Sequence, residues 1–186
     1  MLSETKNSCW YVLFATNGKA EKISHYFQTV GIECFFPFCY RERKIRNCER
    51  KRFTLQPVLR NLVFVKSSKK TLKPHLQEIK LRLCIDSELY YRYRDGEERK
   101  IIVVPEAQMQ NFMLVACCTK ERIVYLTNEA VNLDKGAKVR IIDGVFEGVE
   151  GIFMRIKGKN RVVVSLSNLI SVANASIPTH YILPLE

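Results

Sequence analysis

Two stretches of the chain carry side chains suited to contact with nucleic acid. Residues 41–52, "RERKIRNCERKR", hold Arg41, Arg43, Lys44, Arg46, Arg50, Lys51 and Arg52 against two acidic residues. Guanidinium and ammonium groups at that density neutralise phosphates, and the binding they give is salt-sensitive and mostly independent of sequence. Residues 90–94, "YYRYR", interleave Tyr90, Tyr91 and Tyr93 with Arg92 and Arg94. There the rings can stack on bases while the arginines meet phosphates. A solvated charge run explains the first stretch and an exposed edge hairpin explains the second equally well, since neither defines a base-reading motif.

Other chemistry finds little support. "DGVFEGVEG", residues 143–151, is glycine-rich, but Gly151 is followed by Ile152, which departs from the phosphate-binding GxxxxGK[ST] pattern. His25, His75 and His180 are far apart, and the seven cysteines lack a CxxC pair. A thiolate zinc site or disulfide framework is therefore poorly supported. No Ser/His/Asp spacing is specific enough to claim a nucleophile. The expectation is a protein without catalytic residues, metal or cofactor.

The chain has 186 residues, 47% hydrophobic and 26% charged, enough for one medium domain or two small ones. Its formal net charge of +11 favours a polyanion or an acidic protein surface as partner. Residues 41–52 and 66–82 contribute +5 each, whereas residues 136–186 contribute only +2. Any electrostatic footprint thus lies mainly in the first part. An odd number of cysteines suits a reducing compartment, and neither a signal-peptide pattern nor an 18-residue apolar run is present. A cytoplasmic protein, off the membrane and monomeric when free, is expected.

Hydrophobic periodicity places these residues on elements. "CWYVLFA" reads as a central strand, and Ile23, Tyr26, Phe27 and Val30 recur at helical spacing before Gly31. "IECFFPF" returns as a strand, the basic block follows as a loop or exposed hairpin, and Asn61 to Lys66 form the next strand core. Leu72, Leu76 and Ile79 share a helical face, with Pro74 near the helix start. Residues 89–94 and 100–104 flank an Asp95-Gly96 turn, and Pro105 opens a helix buried through Met109, Phe112, Met113 and Ala116. From Gly136 onward the chain shows only short strands and glycine turns, the pattern of a small β-barrel. In it Phe146 folds back over the core while Gly144, Gly148 and Gly151 accommodate tight backbone.

"GAKVRIIDGVFEGVEGIFMRIKGKNRVVVSL" resembles the KOW module of NusG-family transcription elongation factors, with its approach strand and Gly-x-Phe turn. "WYVLFATNGKAEKISHYFQTVGIECFFPF" resembles the opening strand, helix and second strand of the family's NGN domain. "PVLRNLVFV" is similar to the family's Pro-Leu-Phe-Pro-Gly-Tyr-Val-Phe-Val segment. The resemblance covers about residues 9–172 in the family's order. It implies an α+β chain: an NGN-like antiparallel sheet with packed helices over residues 1–118, a linker over 119–135, and a KOW-like β-barrel over 136–186.

In the family, an apolar NGN patch docks on the clamp helices of the largest RNA polymerase subunit. Carried over, Leu59 falls at the aromatic position before the Pro-Gly pair, Leu62 at the Tyr and Phe64 at the later Phe. All three also suit ordinary sheet core. Here Val58-Leu59 stand for Leu-Phe and Arg60-Asn61 for Pro-Gly, although Asn61 tolerates a left-handed backbone better than most residues. The implied function is suppression of pausing or termination by a polymerase-bound factor. The departures resemble a specialised paralogue, such as those tied to capsular polysaccharide operons in Bacteroidales. Non-template or upstream DNA would pass the basic block, and the KOW module, through residues such as Ile152, Phe153 and Ile156, would recruit a ribosomal protein or another factor. The rival expectation is an RNA- or ribosome-associated KOW-domain binding protein.

Overall fold

The computed structural model describes residues 8–44, 51–92, 100–117, 123–126, 136–156, 158–166, 170–173 and 177–185. The chain divides into two compact units, residues 1–103 and 104–186.

The first unit opens with β1 (Cys9–Ala15), a 3-10 turn (Thr16–Gly18) and α1 (Ala20–Thr29). Then come β2 (Cys34–Phe35), β3 (Phe38–Lys44), β4 (Lys51–Pro57), β5 (Leu62–Ser67), α2 (Lys69–Leu83) and β6 (Ser87–Leu89). The short strands β7 (Tyr91–Arg92), β8 (Lys100–Ile101) and β9 (Val103–Val104) follow. The sheet runs β2-β5-β1-β6, and β9 also pairs with β1. β1 lies antiparallel to β5 in a register from Cys9 opposite Ser67 to Phe14 opposite Leu62.

Alternation along these strands gives the sheet two different faces. Leu13 and Ala15 of β1 and Val63 and Val65 of β5 share one core cluster with Ala20, Ile23, Tyr26 and Phe27 of α1 and Leu72 and Ile79 of α2. The opposite register holds Trp10, Val12 and Phe14 on β1 and Leu62 and Phe64 on β5. α1 ends with Gly31 N–H donating to Gln28 and Ile32 N–H to Phe27, and Ile32 packs against the core. Ser68 caps α2 by accepting from the Thr71 amide at 3.1 Å. Pro74 falls in the second turn of α2, a little deeper than its sequence suggests.

A polar latch joins α1 to α2. The Tyr26 hydroxyl donates to Glu78 Oε2 at 2.5 Å and lies 2.8 Å from His75 Nδ1. With its single proton committed to Glu78, the hydroxyl oxygen accepts from His75 Nδ1–H. Glu78 also pairs with Arg82 at 3.0 Å. Burial, reinforced by the Glu78 hydrogen bond, pushes the Tyr26 hydroxyl from 10.0 up to about 12.

The basic block forms a two-stranded ribbon. β3 and β4 pair antiparallel from Phe38 opposite Pro57 to Lys44 opposite Lys51, and residues 45–50 at its end lie outside the described residues. β7 and β8 likewise pair through Tyr91 with Ile101 and Arg92 with Lys100. The Asp95-Gly96 turn expected between them lies outside the described residues.

The second unit contains α3 (Glu106–Ala116), β10 (Val124–Leu126), β11 (Ala137–Ile141), β12 (Glu150–Ile156), β13 (Lys159–Leu166), β14 (Ile170–Ala173), a 3-10 turn (Thr179–Tyr181) and β15 (Ile182–Pro184). Its antiparallel strands are ordered β10-β14-β13-β12-β11-β15. Among the described residues β10 and β15 do not pair with each other, so the sheet is open where the sequence suggests a closed barrel. Closure would need a ladder between those two edges. α3 packs against β13 and β14, and Met109, Phe112 and Val115 are fully buried. Four consecutive residues of β13, from Arg161 to Val164, are buried too. A strand exposed on one face would alternate, so this stretch is covered on both. The helix and β10 thus group with the C-terminal sheet, whereas the sequence pattern assigns them to the first domain and the linker.

The folded-state value of Tyr26 lies above its ordinary one, so the latch contributes fully below about pH 10 and is lost as pH rises through about 12. Tyr26→Phe should destabilise the protein by about 1 kcal/mol at neutral pH in urea unfolding. It should also remove the tyrosinate step near pH 12 from an ultraviolet titration. Loss of a step near pH 10 instead would show that the latch does not form.

Candidate RNA polymerase-docking site

The turn between β4 and β5 is held by its backbone. Val58 N–H donates to Pro37 at 2.9 Å, Ala20 N–H to the Arg60 carbonyl at 3.2 Å, and Ala15 N–H to the Asn61 carbonyl at 2.7 Å. These bonds tie residues 58–61 to the end of β1 and the start of α1, so the turn is preorganised. Asn61 does not use the left-handed backbone its residue type allows. Outside glycine, the described positive-φ residues are Asn17 and Cys84.

Beside this turn is a groove of about 300 Å³ lined by Phe14, Val58, Leu59, Arg60, Asn61, Leu62 and Tyr90. Phe14 and Leu62 are directly opposed across β1 and β5. Tyr90 stacks on Phe14, with centroids 6.2 Å apart and planes at 23°. Its amide donates to Val12 at 2.8 Å and its carbonyl accepts from Ile102 at 2.9 Å, which holds the ring at the groove wall. Leu59 and Leu62 are half-buried and Arg60 is exposed. The surface is thus apolar with one cation at its rim, suited to an amphipathic partner that buries apolar area at about 25 cal/mol per Å² before binding costs.

The three residues carried over from the family segment separate here. Leu59 and Leu62 line the groove. Phe64 shares the register face of Leu62 but is 0% exposed, opposite Val12 and Phe35. It offers no surface to a partner and acts as core beneath the sheet face. Phe14 and Tyr90 complete the groove. Phe14 reads from sequence as one more apolar residue of a central strand, and only the β1–β5 register brings it beside Leu62.

Of the basic candidates, Arg41, Arg43 and Lys44 lie on β3 and Lys51 and Arg52 on β4, while Arg46 and Arg50 lie outside the described residues. Tyr91 and Arg92 form β7, and Tyr93 and Arg94 lie outside the described residues. In the second unit, Gly144 and Gly148 have φ of +87° and +83° within one turn. There Asp143 Oδ1 accepts from the Gly144 amide at 2.7 Å, and Phe146 is 5% exposed. A Cβ on Gly151 would lie 2.6 Å from the Val163 carbonyl oxygen, so only glycine lets β12 approach β13 there. Ile152, Phe153 and Ile156 are half-buried. Arg140 and Glu150 form an exposed ion pair across β11 and β12.

A family model described as NusG, transcription termination factor nusG, matches residues 8–113. The chain belongs to the NusG family. No curated protein matches it. NusG-family proteins are non-catalytic adaptors of transcription that generally interact with RNA polymerase. The match covers β1 through most of α3, so it includes the groove and the β3–β4 ribbon. Among the described residues no three His, Cys, Asp or Glu side chains converge to hold a metal. None of the described helices is long and apolar enough to cross a membrane.

The different roles of Phe64 and Leu62 are measurable. Phe64→Ala should cost about 3–5 kcal/mol in denaturant unfolding, the range for emptying a core aromatic site. Leu62→Ala should cost about 1 kcal/mol or less. Equal costs would contradict the assignment of one to core and the other to groove.

Proposed function

We propose that this NusG-family protein is an elongation factor that rides on RNA polymerase and suppresses pausing or termination on selected operons. The groove lined by Phe14, Leu59, Leu62 and Tyr90 is the docking surface, and the clamp helices of the polymerase's largest subunit are its partner. The observation that carries this reading is the coincidence of two independent facts. The segment that resembles the family's polymerase-binding stretch, residues 57–65, contributes Val58 through Leu62 to one wall of an open apolar groove, and a stacked aromatic pair lines it opposite.

Docking there acts by position alone. A factor bound across the clamp restrains its opening, which favours the elongating state by differential binding to it. The basic ribbon runs beside non-template or upstream DNA, where its Lys and Arg residues contact phosphate. The second unit is read as a KOW-like module because of its Gly144–Phe146–Gly148 turn and the close approach at Gly151. In this reading it recruits a further factor, such as a ribosomal protein. The departures at residues 58–61 support a specialised paralogue, since Val58 and Leu59 keep that part of the groove wall apolar while Arg60 and Asn61 add polar groups where the family has Pro-Gly.

The test is recovery of purified RNA polymerase on the immobilised full chain at about 150 mM salt, where surface charge is well screened. Leu59→Asp with Leu62→Asp should reduce recovery at least tenfold, because two desolvated carboxylates would face an apolar contact. Recovery equal to wild type would remove the groove as the interface.

A further inference from the structure

The β3–β4 ribbon carries a feature that neither the family segment nor the basic block accounts for. Tyr40, Phe53 and Leu55 are 68%, 59% and 54% exposed, among the most exposed apolar side chains described. Tyr40 is directly opposite Leu55, and Phe53 is two residues along from Leu55. Opposed residues of an antiparallel pair share a face, and so do residues two apart. All three therefore lie on one face of the ribbon. Apolar side chains clustered in this way on a protein surface mark a contact site.

The ribbon presents that face from a fixed base. Phe38, at the first pair of the ladder, packs edge-on to Phe36 with centroids 5.0 Å apart and joins the core cluster. Seven backbone pairs then carry the strands outward, about 20 Å at 3.3 Å per residue. The charge of these strands identifies the partner. The two strands together carry Arg41, Arg43, Lys44, Lys51 and Arg52 against a single carboxylate, Glu42. By register Lys44, Lys51 and Glu42 share the face of Tyr40, Phe53 and Leu55, with Glu42 opposite Phe53, and Arg41, Arg43 and Arg52 fall on the other face. An apolar protein surface would not draw that excess, whereas a polyanion with flat apolar faces would. Unpaired nucleobases on a phosphate backbone have both properties, and a duplex does not, because its bases already stack on one another.

We propose that the β3–β4 ribbon binds single-stranded nucleic acid, with Tyr40 and Phe53 stacking on unpaired bases and Leu55 supporting the Tyr40 ring. This deepens the reading of the basic ribbon as a nucleic-acid surface and is independent of the polymerase groove, which shares no residue with it. Stacking tolerates any base, so the ribbon recognises strandedness rather than sequence.

The experiment is fluorescence anisotropy of the full chain with labelled oligonucleotides of about 12 nucleotides, within the usual range of single-strand sites. The probes are oligo-dT, oligo-U and a blunt DNA duplex of the same length. Single strands should bind at least tenfold more tightly than duplex. Tyr40→Ala with Phe53→Ala should weaken single-strand binding about tenfold or more without changing its salt slope, while Tyr40→Phe should retain it. Binding of DNA alone or RNA alone would each support the proposal and name the strand. Both aromatics are exposed, so the double variant should keep the wild-type unfolding midpoint. The proposal is overturned if that variant binds like wild type, if duplex binds as tightly as single strand, or if polyglutamate competes as well as unlabelled oligo-dT. The same variant should still recover RNA polymerase, so failure here leaves the groove reading standing.

Discussion

Six residue pairs between β1 and β5, from Cys9–Ser67 to Phe14–Leu62, decide what the first unit can do. Because side chains alternate, a slip of one residue would exchange the two faces of the sheet. Leu13, Ala15, Val63 and Val65 would lose α1 and α2, and Phe14 and Leu62 would leave the groove. The register is fixed by burial on both sides, with Trp10, Val12, Phe64 and the helix-facing residues all nearly inaccessible. Backbone bonds from Ala15 and Ala20 to the residue 60–61 turn then lock the groove wall to the same strand. The core and the candidate docking surface are therefore two faces of one pairing.

Much of the first unit is legible from sequence because its signals are local. Ile23, Tyr26 and Phe27 mark α1 by their spacing, Gly31 marks its end, and "LVFVKS" reads as a strand from composition alone. Leu59 and Leu62 are found by alignment to a family segment rather than by any periodicity. What stays hidden depends on long-range pairing. Phe14 and Tyr90 are distant in sequence yet stack beside Leu62, and nothing in "CWYVLFA" or "YYRYR" says which ring faces which. Phe64 illustrates the converse, since alternation correctly places it on the face of Leu62 but cannot say how deep it lies.

The second unit shows the same limit in another form. Its strands, its glycine turn and buried Phe146 all follow from "DGVFEGVEG" and the short apolar runs around it. The helix is different. "EAQMQNFMLVA" announces a buried stripe through Met109 and Phe112 without naming the surface that buries it, and that surface is β13 and β14. The basic ribbon adds a third case. Its charge dominates any reading of the sequence and masks Tyr40, Phe53 and Leu55, whose common face appears only once the β3–β4 register is known.

The division of labour proposed for the first unit gives polymerase docking to an apolar groove and strand contact to a charged ribbon. The most direct test places a photocrosslinking amino acid at Leu59 of the full chain and irradiates its complex with RNA polymerase. The account predicts a crosslink to the coiled clamp helices of the largest subunit. A crosslink from Leu59 to another part of the polymerase, or none while the same group at Phe146 is captured, would contradict it.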